Sequence, residues 1–167
     1  MDAIEFLKSQ HREVEKLFEQ IEGLSDRAVK SRQRIFEKLA DALALHATIE
    51  EKIFYPAAHS GKSEDILFEA LEEHLAVKRV IADLMGCPLS DPTWKAKLSV
   101  LKEDVEHHVE EEEKTLFPMI RSHLDADRLA ELGAELEAMT ADLEDTQPRR
   151  KVPGETKRAA SLGEMSR

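Results

Sequence analysis

Apolar residues return every three or four positions along five stretches of the chain, the spacing of one helix face. The first stripe is Ile4, Leu7, Val14, Phe18 and Ile21, opened by Asp2 and Glu5 as a capping box and stopped at Gly23. The second runs through Ile35, Leu39, Ala42 and Ile53, starts between Ser25 and Ser31, and ends before Gly61. Pro56 is expected to kink it, because proline removes a donor and crowds the preceding turn. Ser63 is read as the cap of the third stripe, Leu67, Leu71, Val77, Ile81 and Leu84, which closes at Gly86. After the loop CPLSDP, Asp91 and Pro92 read as N-cap and first helical residue of the fourth, Leu98, Leu101, Val105 and Met119, in which Pro118 mirrors Pro56. Leu129, Leu132, Leu136, Met139 and Leu143 mark an additional amphipathic helix over residues 125–146. Residues 147–167 show no apolar period and are expected to form a disordered basic tail. Four long helices with short connections predict an all-α fold, an antiparallel up-down four-helix bundle over residues 1–124. The extra helix would cover the bundle or, as a dimer interface, a second protomer.

Composition narrows this picture without redirecting it. At 167 residues, 41% hydrophobic and 35% charged with six Gly and six Pro, the chain suits one helical domain with a single core. Its opening, MDAIEF, carries acids where a secretory signal needs bases, and no run nears the ~20 apolar residues that span a bilayer. A lone cysteine, Cys87, fits a reducing cytoplasm, which we take as the expected location, with no membrane partner. The net charge of −11 argues against a nucleic-acid partner, although the tail from Pro148 is basic.

The stripes are interrupted by side chains that do not belong in a core. His11, His46, Glu50, His74, His108 and Glu112 all fall on apolar faces. HATIEEKIFYP at 46–56 and HVEEEEKTLFP at 108–118 repeat at an offset of 62, and the segments around His11 and His74 repeat at 63. The chain is therefore a doubled helical hairpin, each half offering His and then His-x-x-x-Glu. Residues i and i+4 share a helix face, so His46 with Glu50 and His108 with Glu112 can each serve one site. A lone histidine in a stripe is ordinarily a hydrogen-bonded core residue; four in matching contexts reverse that reading. Buried and unsatisfied, each group would cost roughly 1–3 kcal/mol. Imidazole with carboxylate suits iron, zinc, copper or manganese. Two histidines per ion with Glu50 and Glu112 bridging would hold two ions, each with an open position for oxygen or peroxide. His107-x-x-x-Glu111 competes with His108-x-x-x-Glu112, but His107 shares a polar face with Asp104 and Lys114. Glu51 and Glu113 recur one step off the ligand face, where they would support ligands or meet solvent. Tyr55 would approach the ions if the kink at Pro56 turned it inward; packing is its ordinary role.

This combination resembles the hemerythrin-like (HHE cation-binding) family of bacterial type, over roughly residues 1–124. The resemblance implies a four-helix bundle around a non-haem, oxo- or hydroxo-bridged pair of iron ions. It implies a protein that acts on or senses dioxygen, peroxide or nitric oxide, with His11, His46, His74 and His108 as terminal ligands. Oxygen carriers of the family place a further histidine four residues after the one on the third helix; here Lys78 stands there, which argues against a simple carrier. Glu15, four after His11, would be a third carboxylate ligand, would pair with Lys78, or would lie on the wet flank. Peroxide dismutation is the leading enzymatic expectation. Its rival is an oxygen or iron sensor that signals through the extra helix and the tail.

Overall fold

The structure, a computed structural model, describes residues 1–162 and is all-helical among them. Helices α1 (Ala3–Glu22), α2 (Val29–Ile49), α4 (Glu64–Met85) and α5 (Trp94–Glu111) are the four long members of the bundle. Two short helices, α3 (Tyr55–Ala58) and α6 (Phe117–Arg121), prolong α2 and α5 beyond a widened turn, and α7 (Ala126–Leu143) follows. The main pairings are α1 with α2 and α4 with α5, the two hairpins of the repeat. Helix α1 starts on the expected capping box: Asp2 Oδ1 accepts from Glu5 N, and Asp2 N donates to Glu5 Oε2.

Two helix starts differ from expectation. Ser63 precedes α4 but does not cap it; its hydroxyl donates to Ala58 O at 2.7 Å and ties the preceding loop instead. Asp91 does not cap α5 either. Its Oδ1 accepts from Thr93 N and Oγ1, a local turn that delays the helix to Trp94.

The core is in two pieces. One, with Ile4, Leu7, Ile49, Phe54, Leu67, Leu71, Phe117 and Ile120, fills one end of the bundle. The other, with Val14, Phe18, Phe36, Leu39, Ile81, Leu84, Trp94 and Leu101, fills the opposite end. There the Arg32 guanidinium lies 4.9 Å from the centre of the Trp94 ring, a cation–π contact. His11, His46, His74 and His108 fall in sequence between members of the two clusters, so a polar layer divides them.

Helix α7 turns Leu129, Leu132 and Leu136 onto the first cluster and packs against α1 and α2. The leucine face therefore covers its own bundle. The expectation of a disordered tail over 147–167 fails for residues 148–162; residues 163–167 lie outside those described. Gln147 takes a left-handed conformation (φ 56°) and reverses the chain, and Pro148–Glu155 then form a 3₁₀ strap across α2 and α4. Periodicity could not reveal it, because the strap is held by single anchors. Val152 and Leu162 are buried, Arg149 pairs with Asp41 at 2.8 Å, and Arg79 donates to Thr156 O at 2.9 Å.

Gly133 is where α7 meets the start of the chain. A Cβ there would stand 2.5 Å from Met1 O and 3.0 Å from both Asp2 C and Ala3 N, all backbone atoms. Replacing glycine by alanine within a helix ordinarily gains up to about 1 kcal/mol, but overpacking against rigid backbone costs about 1–3 kcal/mol. Gly133→Ala should therefore lower the melting temperature by a few degrees. Gly61→Ala, with nothing within 4 Å, serves as the control that does not. Equal melting of the two variants would show that α7 is not seated this tightly.

Candidate metal centre

Histidines from all four long helices meet at the waist of the bundle. His11 (α1) and His46 (α2) have ring centroids 4.9 Å apart; His74 (α4) and His108 (α5) have theirs 4.7 Å apart. Each hairpin thus supplies one histidine pair. Glu50 Oε1 lies 3.2 Å from His46 Nε2 and 3.1 Å from His74 Nε2. Glu112 places Oε1 3.1 Å from His11 Nε2 and Oε2 3.5 Å from His108 Nε2. Each carboxylate therefore spans both pairs. Among the described residues two fully buried donor groups are close enough to hold a cation, His11/His46/Glu50/Glu112 and Glu50/His74/His108, and Glu50 belongs to both; a third, Glu73/His107/Glu111, lies at the surface.

The prolines explain how the carboxylates and Tyr55 arrive there. Pro56 has no N–H and its ring crowds the carbonyl four residues back, so the turn before it opens into a π-turn, Glu50–Phe54. Tyr55 N donates to Glu50 O across the widened ring, and the added residue brings position 55 round to the side of position 50. The second hairpin repeats the device at Glu112–Leu116, with Phe117 N donating to Glu112 O. Tyr55 consequently points inward and is fully buried. Its hydroxyl donates to Glu112 Oε2 at 2.6 Å and lies 3.1 Å from Glu50 Oε1, 3.2 Å from His74 Nε2 and 3.3 Å from His108 Nε2. The Tyr55 ring stacks on His74, and its counterpart in the repeat, Phe117, stacks on His11.

Each of these four histidines turns Nε2 to the centre and fixes Nδ1 outward. Nδ1 of His11 donates to Glu113 at 2.6 Å, of His74 to Glu51 at 2.7 Å, and of His108 to Glu73 at 2.8 Å. That of His46 donates to the Gln10 amide oxygen at 2.7 Å. These contacts set tautomer and ring orientation, as outer partners do around metal-binding histidines. Gln10 and Glu73 were not singled out in the sequence. The signal was present: each immediately precedes a repeated histidine at the same offset of 63.

Lys78, buried, donates to Glu51 Oε1 at 3.1 Å and also pairs with Glu155 of the strap at 3.7 Å, so it steadies the carboxylate that orients His74. Glu15 is not at the centre. It is 48% exposed and pairs with Arg12 at 3.4 Å, because the helix turns it to the wet flank. It does not pair with Lys78. His107 is 70% exposed and bridges Glu73 and Glu111 on the surface.

Burial pulls the imidazoles of His11, His74 and His108 toward the neutral form, but the surrounding carboxylates win. Desolvation lowers His108, yet Glu112, Glu50 and Glu73 together hold it well above 6.5. His11 and His74 are raised for the same reason, through Glu112 and Glu50 respectively. Burial would raise Glu50; His46, His108 and His74 hold it well below 4.5. Glu51, Glu73 and Glu113 are lowered against desolvation chiefly by the histidines they hold. Burial and the adjacent Glu112 and Glu50 keep the Tyr55 phenol protonated.

The donor set fits a metal ion. His46 Nε2 and Glu50 Oε2 are buried without a hydrogen-bond partner among the described residues. His74 and His108 bring their Nε2 atoms to 3.2 Å, although each Nδ1 already donates outward, so two lone pairs converge when the rings are neutral. Imidazole nitrogen and carboxylate oxygen without thiolate select first-row divalent ions over calcium or magnesium. Beside the histidines lies a cavity of about 40 Å³, bounded mainly by Val14, Leu43, Val77, Ile81, Val105, Val109 and Val152.

The comparisons agree with this geometry. Residues 2–120 match the Hemerythrin HHE cation binding domain. A Hemerythrin HHE cation binding domain-containing protein from Mycobacterium kansasii, a homolog of Rv2633c, superposes with a TM-score of 0.74 at 26% identity, covering 94% of this chain and 95% of that one. The uncharacterized protein Rv2633c of Mycobacterium tuberculosis is 26% identical over 147 residues, 86% of this chain and 88% of that protein. A protein of Nostoc sp. named DNA nickase is 26% identical over 144 residues, which span 86% of this chain but only 40% of the Nostoc protein. Matched over most of its length, and with four histidines and two glutamates gathered in one buried layer, the chain belongs to the hemerythrin HHE cation-binding domain family.

Proposed function

We propose that the chain holds a pair of iron ions between His11/His46 and His74/His108, with Glu50 and Glu112 bridging, and that it acts on peroxide, dioxygen or nitric oxide there. The observation that carries this is the convergence of four Nε2 atoms on two carboxylates that each span both histidine pairs. Bound iron would supply redox cycling and Lewis acidity. The protein would supply the rest. The cavity of about 40 Å³ has room for a molecule of two to four atoms, since one water needs roughly 10–15 Å³, and this suits diatomic gases and peroxide. In peroxide dismutation, one peroxide is oxidised to dioxygen and gives up two protons and two electrons that reduce a second to water. Tyr55, whose hydroxyl touches both carboxylates, is placed to hold a proton between those two halves.

One observation favours a sensor as the second reading: Val152 of the strap lines the same cavity as the histidines, so a change at the centre bears directly on the tail. Metal- or ligand-dependent proteolysis within residues 148–162 would support it. The nickase activity named for the Nostoc relative finds no support here, because a net charge of −11 repels phosphate.

Metal analysis with an optical spectrum, followed by peroxide addition, tests the reading. About two irons per chain, near-ultraviolet charge-transfer bands and oxygen evolution are expected; zinc alone, or no metal that iron can restore, would sink it. Glu50→Ala and Glu112→Ala should each lose the metal pair and melt at a lower temperature, since binding energy here is also folding energy. Variants that keep both ions would show that these carboxylates do not bridge.

Proton competition yields a second test. In metal-stripped protein, His11, His74 and His108 have raised folded values, so their pairing stabilises fully below the unfolded value of 6.5 and is lost as pH rises through the raised values. The lowered carboxylates Glu50, Glu51, Glu73 and Glu113 stabilise above 4.5, and that contribution disappears as pH falls through their depressed values. Stripped protein should thus melt at a lower temperature at about pH 8 than at about pH 6. Loaded protein should show the opposite slope, because ligation displaces the same protons. Parallel slopes would count against metal and protons sharing these nitrogens.

A further inference from the structure

Two hairpins laid side by side leave two grooves, which the internal repeat relates: α2 against α4, and α5 against α1. The strap fills the first. Val152 seats there fully buried, and the surface cleft beside the strap meets the inner cavity at Lys78, whose ammonium is held between Glu51 and Glu155, so a charged side chain closes that edge. Between α1 and α5 lies instead a cleft of about 550 Å³, whose apolar lining is Val14, Phe18, Val105 and Val109. Ion pairs link the two helices at either end of it, Arg12 with Glu113 and Lys102 with Glu22. The floor of the cleft is also a wall of the inner cavity: His11, Val14, Val105 and Val109 line both. A single layer of side chains separates the open cleft from the space beside the histidines.

Resting on the metal-pair reading above, we infer that small molecules reach the centre through this α1/α5 wall, with Val14 and Val109 as the gate and Val152 as the fixed seal opposite. The wall is apolar apart from His11, so it passes small uncharged molecules such as dioxygen, nitric oxide or hydrogen peroxide and holds back ions. Movement of one valine opens little more than the width of its methyl groups. The gate therefore selects by size as well as charge. The repeat places Val77 opposite Val14 and the smaller Ala47 opposite Val109. The strap side thus has a narrower residue where the open side has a valine, and Val152 fills the difference.

The test compares Val109→Ala, Val109→Phe, Val14→Ala and Val152→Ala with the parent, each checked first for helicity and metal content. Nitric oxide binding to the reduced, loaded protein is followed by anaerobic stopped flow. Exchange of xenon into the cavity is followed by NMR on the same samples and reads the route whatever metal they contain. Both rates should rise several-fold in Val109→Ala and Val14→Ala, fall several-fold in Val109→Phe, and stay near the parent value in Val152→Ala. Should Val109→Phe fail to fold, the two alanine variants still decide. Rates that respond to Val152→Ala and not to Val14 or Val109, or to none of them, would overturn the gate. Xenon rates that follow the gate while the protein takes up no iron would uphold the route and sink the metal reading alone.

Discussion

Placing four imidazoles and two carboxylates in one layer of a helical bundle, sealed between two apolar cores, is the constraint that the rest of this structure answers. Isolated charges at such depth are prohibitively costly, so they must be neutralised jointly and held in fixed geometry. Glu50 and Glu112 do so by reaching across from one hairpin to the other, which makes the layer the main polar link between the halves. The outward contacts of the imidazoles extend the network to Glu51, Glu73, Glu113 and Gln10, where it meets solvent or uncharged groups. Stability and function share the same atoms.

The π-turns are the backbone's part of that answer. A regular helix through residues 50–55 would carry Tyr55 away from Glu50, and proline alone would simply kink the chain. Here the proline sits one turn past the carboxylate, so the strain it creates is taken up as one widened ring in each half. The same ring turns Tyr55 and Phe117 over His74 and His11, closing the layer on the side of the first core cluster. A local backbone defect thus positions an aromatic lid.

Much of this was legible in the sequence because it follows from periodicity and repetition. Apolar stripes of period 3.6 place His11, His46, His74 and His108 inside, and two copies of one phrase place Glu50 and Glu112 beside them. What a one-dimensional pattern cannot carry is direction at an irregular turn, so Tyr55 read first as a packing residue. Nor can it carry contacts between helices whose relative rotation is unknown, so the repeat marks positions 10 and 73 without saying which histidine each holds. The strap was misread for a different reason. Pro148–Glu155 have no hydrophobic period because a 3₁₀ segment needs none; one valine and a few ion pairs anchor it, and basic composition alone suggests disorder.

The duplication has also diverged. On the His74/His108 side the covering ring carries a hydroxyl, the partner of His108 is a carboxylate, and Lys78 stands behind Glu51. On the His11/His46 side the covering ring is phenylalanine and the partner of His46 is a neutral amide. The grooves divide the centre the other way: the strap covers α2 and α4, which carry His46 and His74, and the open cleft lies over α1 and α5, which carry His11 and His108. A carboxylate on Nδ1 makes an imidazole a more basic donor than an amide does. The two halves therefore offer different environments to whatever they bind: one has a phenol hydroxyl and two imidazoles held by carboxylates, the other an apolar ring and one imidazole held by an amide. A symmetric fold has become a centre with two unlike halves, through positions 10 against 73 and 55 against 117, while the strap, which lies outside the repeat, makes its two grooves unlike.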